Sequence, residues 1–146
     1  MSSTQYQVHG RVAVISMNNP PVNGLGYELR RGIVDGIKQA EADDNVKAVV
    51  IIGNDRAFSG GADIREMAEL ADHVEARRFI EAVHRACKAV REAPVPVIGR
   101  INGHALGAGL ELAASCDLRI AASTATFGMP EVLLGLPSSL QIGAIG

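Results

Sequence analysis

Apolar residues change their spacing repeatedly along the chain, with short β-branched runs giving way to longer stretches of helical repeat. Val12-Ala13-Val14-Ile15-Ser16-Met17 predicts a strand, stopped by the turn chemistry of Asn18-Asn19-Pro20-Pro21. From Tyr27 to about Ala42, Leu29, Ile33, Ile37 and Ala40 recur at steps of four, four and three, which places them on one helical face. Gly32 and Gly36 weaken that helix by their poor propensity.

Lys47-Ala48-Val49-Val50-Ile51-Ile52 is a continuous apolar run ended by Gly53-Asn54-Asp55. A run without alternation suits a strand covered on both faces, interior to a mostly parallel sheet. Beyond it the pattern predicts a short helix, Ile64 to Leu70, and a long one, about Val74 to Glu92, with Phe79, Ile80, Val83, Cys87 and Val90 inward. Pro94 and Pro96 end the long helix. Val95-Pro96-Val97-Ile98 then forms a strand whose prolines suit its beginning or a sheet edge. After the Asn102-Gly103 turn, Gly107-Ala108-Gly109 opens a short, mostly apolar helix to Ser115, and Asp117-Leu118-Arg119-Ile120-Ala121 makes another strand. Strands alternating with crossover helices define an α/β domain.

Composition narrows the function more than the fold. At 146 residues, 47% hydrophobic, the chain has the size of one ordinary domain that needs no disulfide or metal staple. Lys and Arg number 14 against 16 Asp and Glu, and they are interspersed, which excludes the clustered cations of a phosphate-binding surface. Two Tyr, three Phe and no Trp leave little for base stacking. No apolar stretch reaches the roughly 18 residues of a membrane span, and the opening Met1-Ser2-Ser3-Thr4 lacks an apolar signal core. Cys87 and Cys116, without CxxC spacing, read as reduced thiols of a cytoplasmic protein. His9, His73, His84 and His104 show no metal-ligand spacing, so no metal site is expected.

Two glycine-rich loops, each following a strand and preceding a helix, carry the first functional signal. They are Phe58-Ser59-Gly60-Gly61-Ala62-Asp63-Ile64 and Asn102-Gly103-His104-Ala105-Leu106-Gly107-Ala108-Gly109. Glycine admits close backbone approach, and the free N–H groups of a helix's first turn attract negative charge. Simple turns, a phosphate cradle and an oxyanion site are the three readings; neither loop carries GxGxxG or the lysine of a Walker loop. Glu111 is the single charge in a short apolar helix, so it must be paired, protonated or used; Arg100 and Arg119 are the candidate partners. Glu131, in Pro130-Glu131-Val132, suits either a first-turn acid or a reactive carboxylate. Asp63 is read as a helix cap, and His104 as a residue lining a pocket or simply a loop residue.

These segments together resemble the crotonase superfamily of enoyl-CoA hydratases and isomerases. The resemblance is carried by Ala57-Phe58-Ser59-Gly60-Gly61-Ala62-Asp63-Ile64, by Ile101 to Ala113, and by Phe127-Gly128-Met129-Pro130-Glu131 with Leu133-Leu134-Gly135, in that order. Met17 to Leu25, with Pro21-Val22-Asn23, is similar to the first substrate loop of the hydratase part of bifunctional β-oxidation enzymes. The resemblance implies a crotonase (ClpP-like) fold, a spiral of ββα units. It also implies hydration of a 2-trans-enoyl-CoA to a 3-hydroxyacyl-CoA, the coenzyme A thioester being substrate, with no separate cofactor. The backbone N–H groups of Ala62 and Ala108 match the family's oxyanion hole, and Glu111 and Glu131, 131 − 111 = 20 residues apart, match its two carboxylates. Val22, Asn23, Leu25, Gly60, Ala62, Asp63, Ile64, Leu106, Gly107 and Pro130 fall on positions that line the acyl-CoA path. Relatives are trimers or dimers of trimers, so a homo-oligomer is expected.

The chain departs from the family at its end. Residues 1–146 match the N-terminal core of a longer domain, and from about Leu136 the pattern is atypical. Such a core is expected to expose apolar surface unless something covers it. A Δ3,Δ2-enoyl-CoA isomerase and a non-catalytic acyl-CoA-binding scaffold are the competing readings.

Overall fold

The computed structural model describes residues 3–134, so the atypical segment from about Leu136 lies outside the described residues. A five-stranded sheet, in the order β1-β2-β3-β5-β7, is built from Thr4–His9 (β1), Val12–Met17 (β2), Ala48–Ile52 (β3), Val97–Ile101 (β5) and Leu118–Ala121 (β7). β1 and β2 form an antiparallel hairpin closed by the His9↔Val12 pair, and every later pairing in the sheet is parallel. β1 is absent from the expected elements. Its polar face, Gln5, Gln7 and His9, alternates with Thr4, Tyr6 and Val8, of which Val8 itself is exposed, so the period-2 signal is faint.

A second sheet, β4-β6-β8, runs parallel beside the first and consists of Ala57–Ser59 (β4), His104–Leu106 (β6) and Thr126–Gly128 (β8). Each short strand continues the chain from one strand of the main sheet: β3 into β4, β5 into β6, β7 into β8. A helical element follows each time. Ile64–Ala68 (α2) and His73–Arg91 (α3) come after β4, Ala108–Ser115 (α4) after β6, and the 3₁₀ turn Pro130–Leu134 after β8. This repetition of two strands and a helix is the expected spiral of ββα units. Three-residue strands inside glycine-rich loops have no periodicity to read, which is why the second sheet is invisible in the hydropathy pattern.

Tyr27–Glu41 (α1) packs Leu29, Ile33, Ile37 and Ala40 into the core, as their spacing requires. Gly32 and Gly36 sit where this helix meets the hairpin, with the side chains of Thr4 and Ile15 against their α-carbons. On α3, Phe79, Val83, Cys87 and Val90 are buried, but Ile80 is 44% exposed. Ile80 lies about 100° around the helix from Phe79, off the inward stripe.

The edge position allowed for the proline-bearing strand is not the one adopted. β5 is interior, between β3 and β7, and its ladder begins at Val97, after both prolines. Pro96 contributes only its carbonyl, which accepts from the Val49 N–H at 2.8 Å. A proline needs no ladder donor there.

Arg30 is a core residue that the periodicity does not reveal. Its guanidinium donates to the Leu25 carbonyl at 2.7 Å and to both carboxylate oxygens of Glu66 at 2.9 and 2.8 Å, and stacks 4.8 Å from the Phe79 ring centre. One side chain thereby ties α1, α2 and α3 together. Beyond α4 large apolar residues turn outward: Leu118, Ile120, Phe127, Val132 and Leu133 are all exposed, giving the uncovered apolar surface expected of this core. Among the described residues no helix is long and apolar enough to cross a membrane.

Candidate active site

The first glycine loop is held from beneath by the β2–α1 connection. The Gly60 N–H donates to the Val22 carbonyl at 2.7 Å, the Leu25 N–H to the Gly61 carbonyl at 2.7 Å, and the Gly61 N–H to Ser59 Oγ at 3.2 Å. Gly61 has φ +109°, a conformation that L side chains rarely adopt. In a trans peptide the carbonyl and the following N–H point in opposite directions. With the Gly61 carbonyl turned toward Leu25, the Ala62 N–H faces the other way. Asp63 then caps α2, accepting from the Arg65 N–H at 2.9 Å, as expected. Burial works to raise the Asp63 pKa. Hydrogen bonds from the Arg65 side chain, the Asn19 amide and the Arg65 N–H, with the charge of Arg65, outweigh it and hold the carboxyl below its usual value.

The second loop turns at Gly107, with φ +53° and ψ −125°, a backbone that only glycine adopts without strain. Its N–H donates to the Gly128 carbonyl at 2.9 Å, and its own carbonyl receives the Glu111 N–H at 3.1 Å. Ala108 is therefore the first residue of α4. The two loops pack directly on one another. A β-carbon on Gly61 would lie 3.0 Å from the Leu106 carbonyl oxygen and 3.7 Å from the Ala108 nitrogen, while Gly109 rests on the backbone of Ser59. Among the described residues, neither the Ala62 nor the Ala108 N–H has a hydrogen-bond acceptor. Two free amide donors on adjoining loops, one at a helix N-terminus, make an anion-facing arrangement.

Gly107 is contacted by the Glu111 backbone and the Glu131 carboxylate. Glu111, 1% exposed, is bonded through its N–H to the Gly107 carbonyl. Glu131 lies in the first turn of the 3₁₀ helix, after Pro130, and its carboxylate lies against the Gly107 α-carbon. Its Oε2 is buried with no hydrogen-bond partner among the described residues, an unusual state for a carboxylate oxygen unless something binds it. Arg119, a candidate partner of Glu111, donates to the carbonyls of Ala113, Ala114 and Cys116.

Residues 7–142 match the sequence profile described as enoyl-CoA hydratase/isomerase. The chain belongs to that family. It is 37% identical over 93% of its length to "Probable enoyl-CoA hydratase" of Bacillus subtilis, covering 53% of that protein. It is 39% identical over 86% of its length to the peroxisomal fatty acid beta-oxidation multifunctional protein of Arabidopsis thaliana, covering 18% of it. Among solved structures, an enoyl-CoA hydratase from Bacillus anthracis superposes with a TM-score of 0.89 at 31% identity, over 94% of this chain and 54% of that one. The chain thus spans about half the length of the single-function relatives.

Within this enoyl-CoA hydratase/isomerase frame the other candidate residues take different places. Val22, Ile64 and Pro130 are exposed, and Gly60, Ala62 and Leu106 are half-buried, all open to a ligand. Asn23 and Leu25 have fully buried side chains, so what they offer is backbone and internal hydrogen bonds. Asn19, Asp63 and Arg65 border an open cleft of about 500 Å³ with Gly26, Tyr27 and Glu66. His104 is exposed and pairs through Nδ1 with the Thr126 hydroxyl. No three His, Cys, Asp or Glu side chains group as a metal site among the described residues. Sequence reasoning missed Asn54, whose amide donates to Asn23 Oδ1, and Asn102, whose amide donates to the Asn54 carbonyl and so links the loops after β3 and β5. Loop asparagines are common turn formers, and nothing in their spacing marks them.

Proposed function

We propose that residues 1–146 form the N-terminal core of an enoyl-CoA hydratase, which adds water to a 2-trans-enoyl-CoA to give the 3-hydroxyacyl-CoA in fatty acid β-oxidation. The observation that supports this most directly is the pair of N–H groups, of Ala62 and Ala108, that have no acceptor among the described residues and stand on two mutually packed glycine loops. They are the donors for charge developing on the thioester oxygen as water adds, each lowering the barrier by roughly 3 kcal/mol. Glu111 orients and deprotonates the water that attacks C3, and Glu131 delivers a proton to C2. Val22, Gly60, Ile64 and Pro130, with Ala62 and Leu106, border the acyl-CoA path; no further cofactor takes part. The complete enzyme works in the cytoplasm as a trimer or dimer of trimers.

The test is incubation with crotonyl-CoA, following loss of the conjugated enoyl-thioester absorbance. Hydration by the wild-type chain, lost by roughly 10²–10⁴-fold in Glu131→Gln with unchanged circular dichroism, is the expected result. Near-normal turnover by Glu131→Gln in a full-length context overturns the assignment. Migration of the double bond of a 3-enoyl-CoA without hydration selects the isomerase; inertness with weak coenzyme A binding selects the scaffold. Sizing of the same sample reads the assembly.

A further inference from the structure

We propose that Asn23 and Ser59 are positioning residues: a buried relay, Asn23 carbonyl to Ser59 hydroxyl to Gly61 N–H, sets the direction in which the Ala62 N–H points. The inference rests on the acyl-CoA reading of the site and extends it to groups that no ligand touches.

Asn23 and Ser59 are both fully buried. The Ser59 hydroxyl donates to the Asn23 carbonyl at 2.7 Å and accepts from the Gly61 N–H at 3.2 Å, so its proton direction and its lone pair are both committed. Asn23 is itself immobilised from both ends of its amide. Nδ2 donates to the carbonyls of Met17, Ala57 and Phe58 at 3.2–3.3 Å, and Oδ1 accepts from the Asn19 N–H at 2.8 Å and from Asn54 Nδ2 at 3.2 Å. Its φ is +53°, a left-handed turn from which its backbone carbonyl meets the Ser59 hydroxyl. Downstream, Gly60 and Gly61 are gripped by Val22 and Leu25, one residue before Asn23 and two after it.

This connectivity makes the orientation of the Gly61–Ala62 peptide a property of the Asn23 turn. With the Gly61 N–H held by Ser59 and its carbonyl by Leu25, neither end of that residue is free to rotate, and the Ala62 N–H is directed away from the interior. An oxyanion donor is useful only when pre-aimed, because misalignment sharply weakens a hydrogen bond. A serine hydroxyl here therefore acts neither as nucleophile nor as ligand.

The test compares binding of butyryl-CoA with that of S-butyl-CoA, a thioether that lacks only the carbonyl oxygen. In the wild-type chain the thioester is expected to bind at least about fivefold more tightly, the worth of a net hydrogen bond to that oxygen. Ser59→Ala and Asn23→Gly, the latter keeping the positive φ and the backbone carbonyl, should bring the ratio near one while thioether affinity stays within about twofold. For crotonyl-CoA, kcat should fall roughly 10²-fold, far more than the roughly fivefold rise in KM that matches the lost thioester affinity. Ser59→Cys, close in size and able to donate weakly, should recover part of the ratio, and it carries the test if the other variants fail to fold. An unchanged ratio in folded variants overturns the relay. Parallel loss of both ligands in step with a lowered melting temperature also overturns it, leaving a structural role only. Equal wild-type affinity for thioester and thioether brings down the oxyanion reading itself, and the relay with it.

Discussion

The carboxylate of Glu131 lies against the α-carbon of Gly107, so close that a β-carbon there would overlap Oε1. The same glycine receives the Glu111 N–H on its carbonyl and precedes Ala108 in the chain. One residue without a side chain therefore seats the Glu131 carboxylate, starts the helix that carries Glu111 and precedes one candidate oxyanion donor.

Gly107→Ala is expected to abolish hydration more thoroughly than it unfolds the protein. The methyl group meets the Glu131 carboxylate, and φ of +53° with ψ of −125° strains any L side chain by about 1–3 kcal/mol. A fall in kcat/KM of roughly 10²-fold or more, with a melting temperature lowered by only several degrees, is the anticipated pair of measurements. Unimpaired turnover would show that Glu131 does not need its place.

Asp63 links site geometry to pH. Its folded pKa lies below the unfolded value, so it stabilises the fold at neutral pH, and that contribution is lost as pH falls through about 4 toward the lowered folded value. Asp63→Asn keeps the shape and removes the charge. The variant should be less stable by about 1 kcal/mol at pH 7, the exposed Arg65 adding little through solvent screening. Thermal melts between pH 7 and 3 should show the gap to wild type closing at the acid end; a constant gap would refute the linkage.

Both cysteines are buried and unpaired, and burial pushes the Cys87 thiol up to about 11 and the Cys116 thiol up to about 12. At pH 8 about one Cys87 in a thousand carries the thiolate. Iodoacetamide should leave the native chain unlabelled for hours at that pH and modify both residues in denaturant. Because the protonated form is favoured by folding, these thiols stabilise fully below about pH 8.5 and progressively less above it. Rapid native labelling would contradict their placement.

Arg30→Met should cost about 2 kcal/mol, read from the urea midpoint. The substitution leaves the Leu25 carbonyl without its donor and Glu66 without its bidentate partner, only part of which water can replace. Arg30→Lys keeps the charge yet loses the fork, and is expected to recover less than half of the loss. A methionine variant as stable as wild type would mean that packing over Phe79 is the larger contribution.

How far the site was legible is best seen in particular residues. The helical faces of α1 and α3, the interior strand β3 and the cap at Asp63 follow from spacing and residue type, because burial along a regular element repeats with that element's period. The glycine loops and the two glutamates were recognisable as chemistry that apolar neighbours do not explain. Asn23 and Leu25 were placed on the ligand path by position, whereas the structure turns their side chains inward to carry the loop from beneath. Which way a loop side chain turns has no period to betray it.

The sequence by itself determined the alternation of strands and helices, the family and the residue types available for catalysis. Only the tertiary structure decided that β4, β6 and β8 form a second sheet, that Arg30 is buried, that Ser59 holds Gly61, and that Glu131 comes to rest on Gly107. Apart from the Ser59–Gly61 bond, which lies within one loop but depends on Ser59 being turned toward Asn23, each of these is a hydrogen bond or a contact between segments well separated along the chain. Local propensity cannot specify such pairings, because they depend on the path of everything between them; β7 must pair with β5, and β8 with β6, in register before Glu131 can reach Gly107.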